Sequence, residues 1–137
     1  MEDDPLSGLP HGLSFRFVDR IVEHVPGVKV VALKNVTCGE PYMERQLPDL
    51  RGMPLAFLVE AMTQAAGVLV SKGEPTFLAL LRDVRLRRPV MPGDRLTLEA
   101  NLLQQFGSLH RCDVKAVVGG EVACQAEIVL SVGGDPP

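Results

Sequence analysis

The sequence has little of several features that would mark a specialised class of protein. It has no tryptophan, aromatic residues make up only 4% of it, and its net charge is −3. Proteins that bind nucleic acid combine a basic surface with aromatic side chains that stack on bases, so this composition argues against that role. Apolar residues make up 46% of the chain, which is ordinary for a globular protein. A length of 137 residues suffices for one domain, and we expect a single domain over residues 1–137.

Cysteine is scarce as well. The three cysteines, Cys38, Cys112 and Cys124, are far apart and form no CxxC pair. This pattern predicts neither a metal site nor a disulfide framework, and it favours a reducing cytoplasm. The first ten residues, MEDDPLSGLP, are acidic and lack the apolar segment of a signal peptide, so we expect residues 1–13 to form a loose arm.

The longest apolar run extends from Leu55 to Val70 and predicts a buried helix. Pro54 suits a first helical turn, and Lys72 followed by Gly73 indicates where the helix stops. A membrane span needs about 20 apolar residues to cross ~30 Å of hydrocarbon, so this segment is too short for one. We therefore expect no contact with a membrane.

Three polar residues interrupt this run, at Glu60, Thr63 and Gln64. Their spacing of i, i+3 and i+4 places them on one side of the helix. A carboxylate on a buried helix is unfavourable unless it has partners or a function. Glu60 is therefore the first candidate for a functional residue, with Thr63 and Gln64 as neighbours that could contact a substrate.

The remainder of the chain is typical of strands. Segments 28–37 and 77–87 are strand-like, with a turn at Pro26-Gly27 before the first of them. Between residues 95 and 130 apolar and polar residues alternate through three strands, which are separated by turns at Gly107-Ser108 and Gly119-Gly120. Such alternation predicts an antiparallel sheet that is covered on one face, and together with the helix it indicates an α+β fold.

Four stretches of the chain carry motifs that span nearly the whole sequence. In order, they are Leu9-Pro10-His11 with Phe15, Val18, Asp19 and Arg20; Lys34-Asn35-Val36 with Glu40-Pro41; Met53-Pro54 with Glu60-Ala61-Met62 and Gln64-Ala65; and Arg88-Pro89-Val90 with Pro92-Gly93-Asp94. At compatible spacing, these four stretches resemble the FabA/FabZ-type 3-hydroxyacyl-[acyl-carrier-protein] dehydratases.

This resemblance implies the hotdog fold, in which a curved antiparallel sheet wraps one long buried helix. It also implies a substrate carried on the phosphopantetheine of acyl carrier protein or on coenzyme A, with no other cofactor and no metal. The catalytic glutamate of the family falls on Glu60, and the glycine whose backbone N–H holds the thioester carbonyl falls on Leu55. The resemblance further implies a homodimer, or a higher oligomer of dimers, with the pocket between subunits.

The family's catalytic histidine lies fourteen residues before the glutamate, and this position is Gln46. A glutamine amide hydrogen-bonds well, but it does not titrate near neutral pH. His11, His24 and His110 do not align with this position, and we expect structural roles for them.

Three functions therefore stay open. The first is a dehydratase or hydratase that compensates for the missing histidine, and the second is a thioesterase that uses Glu60 with Gln46. The third is a catalytically weak partner that binds acyl chains or supplies half of a heterodimer.

A cluster of arginines follows the helix. It consists of Arg82, Arg85, Arg87 and Arg88. One interpretation is a solvated strand face, on which Val84 and Leu86 point inward and Arg85 and Arg87 outward. The other is a docking surface for an acidic carrier protein or for the phosphates of its prosthetic group.

Overall fold

The computed structural model describes residues 18–37 and 52–133. Within these ranges the chain forms six strands and one helix. The elements are β1 (Arg20–Val25), β2 (Lys29–Asn35), α1 (Leu55–Val70), β3 (Thr76–Leu86), β4 (Arg95–Phe106), β5 (Leu109–Val118) and β6 (Glu121–Val132). The one described helix is not long and apolar enough to cross a membrane.

The strands form a single sheet in the order β1-β2-β4-β5-β6-β3, and all neighbouring strands are antiparallel. Two tight turns fix the register of the last three strands, as the sequence predicts. Gly107 and Gly119 have φ of 57°, a value that suits glycine in two-residue hairpin turns. The helix packs against one face of the sheet, which we call the inner face; the opposite face is the outer face. One helix on an antiparallel sheet confirms the α+β prediction.

The core lies between the helix and the inner face. Alternate residues of β4, β5 and β6 point into it, because successive side chains of a strand point to opposite faces. The largest fully buried side chains in the core include Leu58 and Met62 from the helix and Leu96, Leu98 and Ile128 from the sheet. The predicted alternation is thus confirmed on all three strands.

The predicted element bounds need small corrections. The strand expected over 77–87 spans Thr76–Leu86, and the strand expected over 28–37 spans Lys29–Asn35. Pro54 is the N-cap of the helix, with ψ of 140°, and does not belong to the first turn. The helix ends at Val70, where the N–H of Ser71 donates to the carbonyl of Gly67 at 2.9 Å, just before the predicted stop.

Candidate active site

The turn over residues 88–94 follows β3 in the chain. Its backbone forms hydrogen bonds with the segment after β2 and with the residues before the helix. The N–H of Met53 donates to the carbonyl of Val90 at 2.7 Å. On the other side, the N–H of Gly93 donates to the carbonyl of Val36 at 2.7 Å, and the N–H of Val36 donates to the carbonyl of Asp94 at 3.0 Å. This turn therefore holds together two segments that are separated in sequence, next to the first turn of α1.

The carboxylate of Asp94 stabilises this turn from within. Its Oδ2 accepts a hydrogen bond from the N–H of Met91 at 2.8 Å and lies 3.8 Å from a guanidinium nitrogen of Arg88. A carboxylate that accepts a backbone N–H fixes the local conformation as an Asx turn does. One of the four stretches that carry the family resemblance thus has a structural role beside the site. It contains Arg88, Pro92, Gly93 and Asp94.

The first turn of the helix presents backbone donors. Phe57 and Leu58 donate their N–H groups to the carbonyl of Pro54 at 3.0 and 3.1 Å. For the N–H groups of Leu55 and Ala56, no acceptor lies within the part of the chain that the structure describes, and both residues are exposed. Helix N-termini carry a partial positive charge, so these donors suit an oxygen that gains negative charge.

The predicted trio on the helix does lie together, but Glu60 is only partly buried. Glu60 is thus less buried than the prediction of a carboxylate on a buried helix implies, because the sheet covers only one side of this helix. Gln64 is 2% exposed, and its Nε2 donates to Oε1 of Glu60 at 3.4 Å. Thr63 donates its hydroxyl to the carbonyl of Val59 at 2.9 Å, which is a bond within the helix.

The structure therefore divides the trio by role. Gln64 donates a hydrogen bond to one oxygen of Glu60, and the Glu60 side chain stays partly exposed. Thr63 satisfies its own hydroxyl locally. Glu60 lies roughly one turn along the same helix from Leu55 and Ala56. A carboxylate can exchange a proton, and such N–H groups can polarise a carbonyl.

Three of the predicted residues, Gln46, Cys38 and His11, lie outside the described residues, and the role of Gln46 stays a prediction. Of the other two histidines, His24 is exposed on β1, and His110 is buried at the start of β5, where its Nδ1 lies 3.1 Å from the carbonyl oxygen of Ser108.

The arginine cluster is split between two places. Arg82 and Arg85 lie on the outer face of β3, where they pair in register with Glu127 and Gln125. Arg87 and Arg88 follow the end of β3, and their N–H groups both approach the carbonyl of Ala123. Arg88 also lies 3.3 Å from Glu121, so half of the predicted cluster is next to the 88–94 turn and half is not.

The outer face carries an ion-pair network that is not among the predictions from the sequence. Glu127 lies between Arg82, which donates a short hydrogen bond to it, and Arg111, whose Nε is 3.0 Å from Oε1. The hydrogen bond from Arg82 and the two positive charges lower the pKa of the Glu127 carboxyl below its usual value, and the same bond raises the pKa of Arg82. The only sign of this network in the sequence is that Arg111 and Glu127 occupy polar positions in the alternating pattern of their strands.

A second pair that the sequence did not reveal ties β2 to the segment before β1. Lys34 is almost fully buried, and its Nζ lies 3.8 Å from Oδ1 of Asp19. The other oxygen of Asp19 accepts the N–H of Asn35 at 2.7 Å. Both residues belong to stretches that carry the family resemblance, and here their contact is structural.

The buried thiols offer no reactive group. Cys112 and Cys124 are free and lie in the core, where burial raises the pKa of Cys112 to about 12 and also raises that of Cys124. A thiol with a raised pKa is a poor nucleophile at neutral pH. No three His, Cys, Asp or Glu side chains lie together as metal ligands would within residues 18–37 and 52–133.

Solved structures share this fold at low sequence identity. The dehydratase heterocomplex ApeI:P from Xenorhabdus doucetiae superposes with a TM-score of 0.81 at 19% identity, over 98% of this chain and 94% of that one. A hypothetical thioesterase from Streptococcus pneumoniae, solved with coenzyme A, gives a TM-score of 0.69 at 18% identity, over 86% and 88%. These likenesses support the hotdog fold.

Sequence comparison gives the family. A FabA-like domain matches residues 9–127. The 3-hydroxyacyl-[acyl-carrier-protein] dehydratase FabZ of Oleidesulfovibrio alaskensis is 40% identical over 132 residues, which span 90% of this chain and 85% of that protein. The FabZ of Ruminiclostridium cellulolyticum is 42% identical over 129 residues, with coverages of 90% and 91%. The chain belongs to the FabA-like family of hotdog proteins.

Proposed function

We propose that this protein acts on acyl thioesters as a 3-hydroxyacyl dehydratase or hydratase of fatty-acid-type synthesis. The observation that carries the proposal is the position of the Glu60 carboxylate. Gln64 donates a hydrogen bond to it, and it lies on a partly exposed face of the helix that begins with the N–H groups of Leu55 and Ala56. The names of the FabZ relatives, at 40% and 42% identity, support the same reaction.

In this reaction a base takes a proton from the carbon beside the thioester carbonyl. The hydroxyl on the next carbon leaves as water, and the double bond forms between the two carbons. We assign Glu60 to the proton that the leaving hydroxyl receives. We assign the N–H of Leu55 to the carbonyl oxygen, which carries negative charge after the first step. The partial positive charge of the helix N-terminus would add to this stabilisation.

Position 46 decides how fast the reaction runs. The amide of Gln46 can hydrogen-bond the substrate, but it cannot accept the proton at neutral pH, so in this chain the proton passes to water. A positioned general base contributes roughly 10²–10⁴-fold to a rate. We therefore expect dehydration that is slower than that of relatives with histidine at this position by a similar factor.

We propose that two copies pair through β3 and that the site lies at their junction. β3 is an edge strand of eleven residues, and long unprotected edges invite pairing with another chain. Leu78 and Leu86 pair in register with the buried Leu130 and Cys124, so they face inward, yet they are 47% and 48% exposed. A second sheet that continues beyond β3 would cover them, together with the helix face that carries Glu60.

We assign the carrier contact to Arg87 and Arg88. They lie at the base of the turn that binds Met53, next to the helix start, whereas Arg82 and Arg85 lie on the outer face. An acidic carrier protein or the phosphate of phosphopantetheine would be attracted to these guanidinium groups. The cytoplasm, where the unpaired buried cysteines would remain reduced, is the proposed location.

A thioesterase is the second candidate. One line of support is the combination of a carboxylate at position 60 with an amide at position 46, since the amide could orient water or the thioester carbonyl. The other is the fold likeness to a hypothetical thioesterase. A catalytically weak partner of a heterodimer is the third, and the fold likeness to a dehydratase heterocomplex supports it.

One experiment separates these functions. The purified protein is given 3-hydroxyacyl and 2-enoyl thioesters of both coenzyme A and acyl carrier protein. Thiol release and the absorbance of the conjugated double bond are followed in the same samples. Interconversion of hydroxyacyl and enoyl forms without thiol release supports the dehydratase. Thiol release as the main activity overturns it in favour of the thioesterase, and inactivity in both assays favours the non-catalytic partner.

A further inference from the structure

A cavity of about 370 Å³ opens on the outer face of the sheet, where strands β3, β4, β5 and β6 contribute to its lining. Sites for small molecules have volumes of roughly 300–1,000 Å³, so this cavity is large enough for one. The helix with Glu60 packs against the inner face. The cavity is therefore separate from the candidate active site.

The lining of the cavity carries charges of both signs. Its charged residues are Asp83 and Arg85 on β3, Arg111 and Asp113 on β5, and Glu127 on β6. Opposite charges on neighbouring strands can satisfy one another, whereas a charge without such a neighbour is available to a ligand. The contacts of each group therefore decide what the cavity can bind.

Four of the charged groups on this face form one neutral cluster. Arg82 donates a hydrogen bond to the carboxylate of Glu127, and Nε of Arg111 lies 3.0 Å from Oε1 of the same carboxylate. The hydrogen bond to Glu127 raises the pKa of Arg82, and the nearby negative charge of Asp83 raises it further. Two arginines thus balance two carboxylates.

Arg85 and Asp113 stay outside this cluster. Arg85 is exposed and forms no ion pair or side-chain hydrogen bond with any residue that the structure describes. Oδ1 of Asp113 accepts a hydrogen bond from Nε2 of Gln125 at 3.0 Å, and the other oxygen of Asp113 has no hydrogen bond among the described residues. One positive and one negative group are therefore open to a ligand.

Gln125 separates these two groups. It pairs in register with Arg85 on β3, and its side chain reaches Asp113 on β5. Since β6 lies between β3 and β5 and neighbouring strands are about 4.8 Å apart, the backbones of β3 and β5 are about 10 Å apart. Arg85 and Asp113 thus face the cavity from opposite sides.

We propose that the cavity binds a small zwitterion of dipeptide size, whose carboxylate binds Arg85 and whose ammonium group binds Asp113. The planar guanidinium can donate two parallel hydrogen bonds to a carboxylate, and an ammonium group can donate to the open oxygen of Asp113. A ligand with a single charge would leave either Arg85 or Asp113 unpaired. The exposed side chain of Leu103, which also lines the cavity, would contact an apolar side chain of the ligand.

The separation of the two groups favours a dipeptide over a free amino acid. A free amino acid carries both charges on one carbon, whereas an extended dipeptide spans about 7 Å between its ends. Such a span suits binding groups on two strands that β6 keeps apart.

Isothermal titration calorimetry of the purified protein with glycyl-leucine tests this site. Three related ligands change one feature each: N-acetyl-glycyl-leucine lacks the ammonium group, glycyl-leucine amide lacks the carboxylate, and leucine has both charges on one carbon. The variants Arg85→Gln and Asp113→Asn remove one protein charge each, and asparagine keeps an oxygen for Gln125. Arg20→Gln and Glu99→Gln are the matched controls, because Arg20 is exposed on β1 and Glu99 on β4 does not line the cavity.

We expect glycyl-leucine to bind the wild type with a Kd in the millimolar range or below. Each capped ligand, and each of the two variants, should weaken binding by about tenfold or more, because a charge-assisted hydrogen bond is lost. Leucine should bind more weakly than glycyl-leucine, and both control variants should bind glycyl-leucine as the wild type does.

Three results would overturn the proposal. They are the absence of saturable glycyl-leucine binding to the wild type at millimolar concentration, an equal affinity for a capped ligand or for leucine, and an unchanged affinity in both Arg85→Gln and Asp113→Asn. The comparison of ligands uses the wild type alone, so it holds even if a variant fails to fold. Because the readout is ligand binding, the result is independent of whether the protein is a dehydratase.

Discussion

The N–H of Met53 donates to the carbonyl of Val90 at 2.7 Å, and this hydrogen bond joins the helix start to the turn that follows β3. The residue before Met53 is a glycine with a φ of +80°, and a Cβ placed on it would lie 2.5 Å from the same carbonyl oxygen. The close approach of Met53 and Val90 therefore depends on the absence of a side chain at position 52.

We predict that Gly52→Ala lowers the free energy of unfolding by about 2 kcal/mol or more, because it combines a strained φ with a steric clash. Urea denaturation gives the value. Gly120→Ala is the matched control, since Gly120 has a φ of +83° but no atom within 4 Å of its added Cβ. Equal losses in the two variants would show that the contact with Val90 contributes nothing beyond the strain.

The stability of the protein should depend on pH through Glu127. Its folded-state pKa is lowered by Arg82 and Arg111, so the folded protein binds this proton less readily than the unfolded chain. The stabilisation is therefore present above the ordinary carboxyl pKa of 4.5, and it is lost as the pH falls through the lowered pKa of the folded state.

The measurement for this prediction is the urea midpoint between pH 7 and the acid limit of folding. Glu127→Gln should be less stable than the wild type at pH 7, and the difference should shrink as the pH falls below 4.5. Glu121→Gln serves as control, because the Glu121 side chain is 73% exposed and Arg88 is its only ion-pair partner among the described residues. A difference between the wild type and Glu127→Gln that is constant with pH would contradict the assignment.

We predict that Glu60→Ala abolishes acyl-thioester turnover and leaves the thermal unfolding temperature within a few degrees of the wild type. The carboxylate is partly exposed, so its loss creates no large cavity. Thr63→Val is the control on the same helix face, because the Thr63 hydroxyl bonds only the carbonyl of Val59 among the described residues. Full turnover by the Glu60 variant would make this residue structural.

Much of the fold could be predicted because it follows from local patterns. The alternation along β4, β5 and β6 fixed which side chains are buried, and Gly107 and Gly119 marked the turns. The helix was evident from its apolar run. The partial exposure of Glu60 was not, because it depends on which side of the helix the sheet covers.

The outer-face network shows the other limit of sequence reasoning. Arg82 and Glu127 are 45 residues apart, and they meet only because β3 pairs with β6 at the far side of the sheet. Single-sequence patterns do not specify strand order, so they could not separate Arg82 and Arg85 from Arg87 and Arg88. The cluster in sequence became two surfaces in space.

The most discriminating prediction concerns Gln46→His. If the site retains the geometry of its dehydratase relatives, the imidazole restores a base that can take the proton beside the thioester carbonyl. Dehydration and hydration should then rise by ~10²-fold or more, which is the contribution of a positioned general base. The gain should follow the protonation of histidine and decline below a pH of about 6.5.

The same variant distinguishes the alternatives when thiol release is measured beside double-bond absorbance. If Gln46 orients water or the carbonyl in a thioesterase, its replacement should lower thiol release and leave dehydration absent. Gln46→Asn is the matched control, because it keeps an amide without adding a base. Glu60→Ala combined with Gln46→His should remain inactive in dehydration, since the leaving hydroxyl still needs its proton. If Gln46→His changes neither activity, the protein lacks a working site, and the proposal of a non-catalytic partner takes precedence.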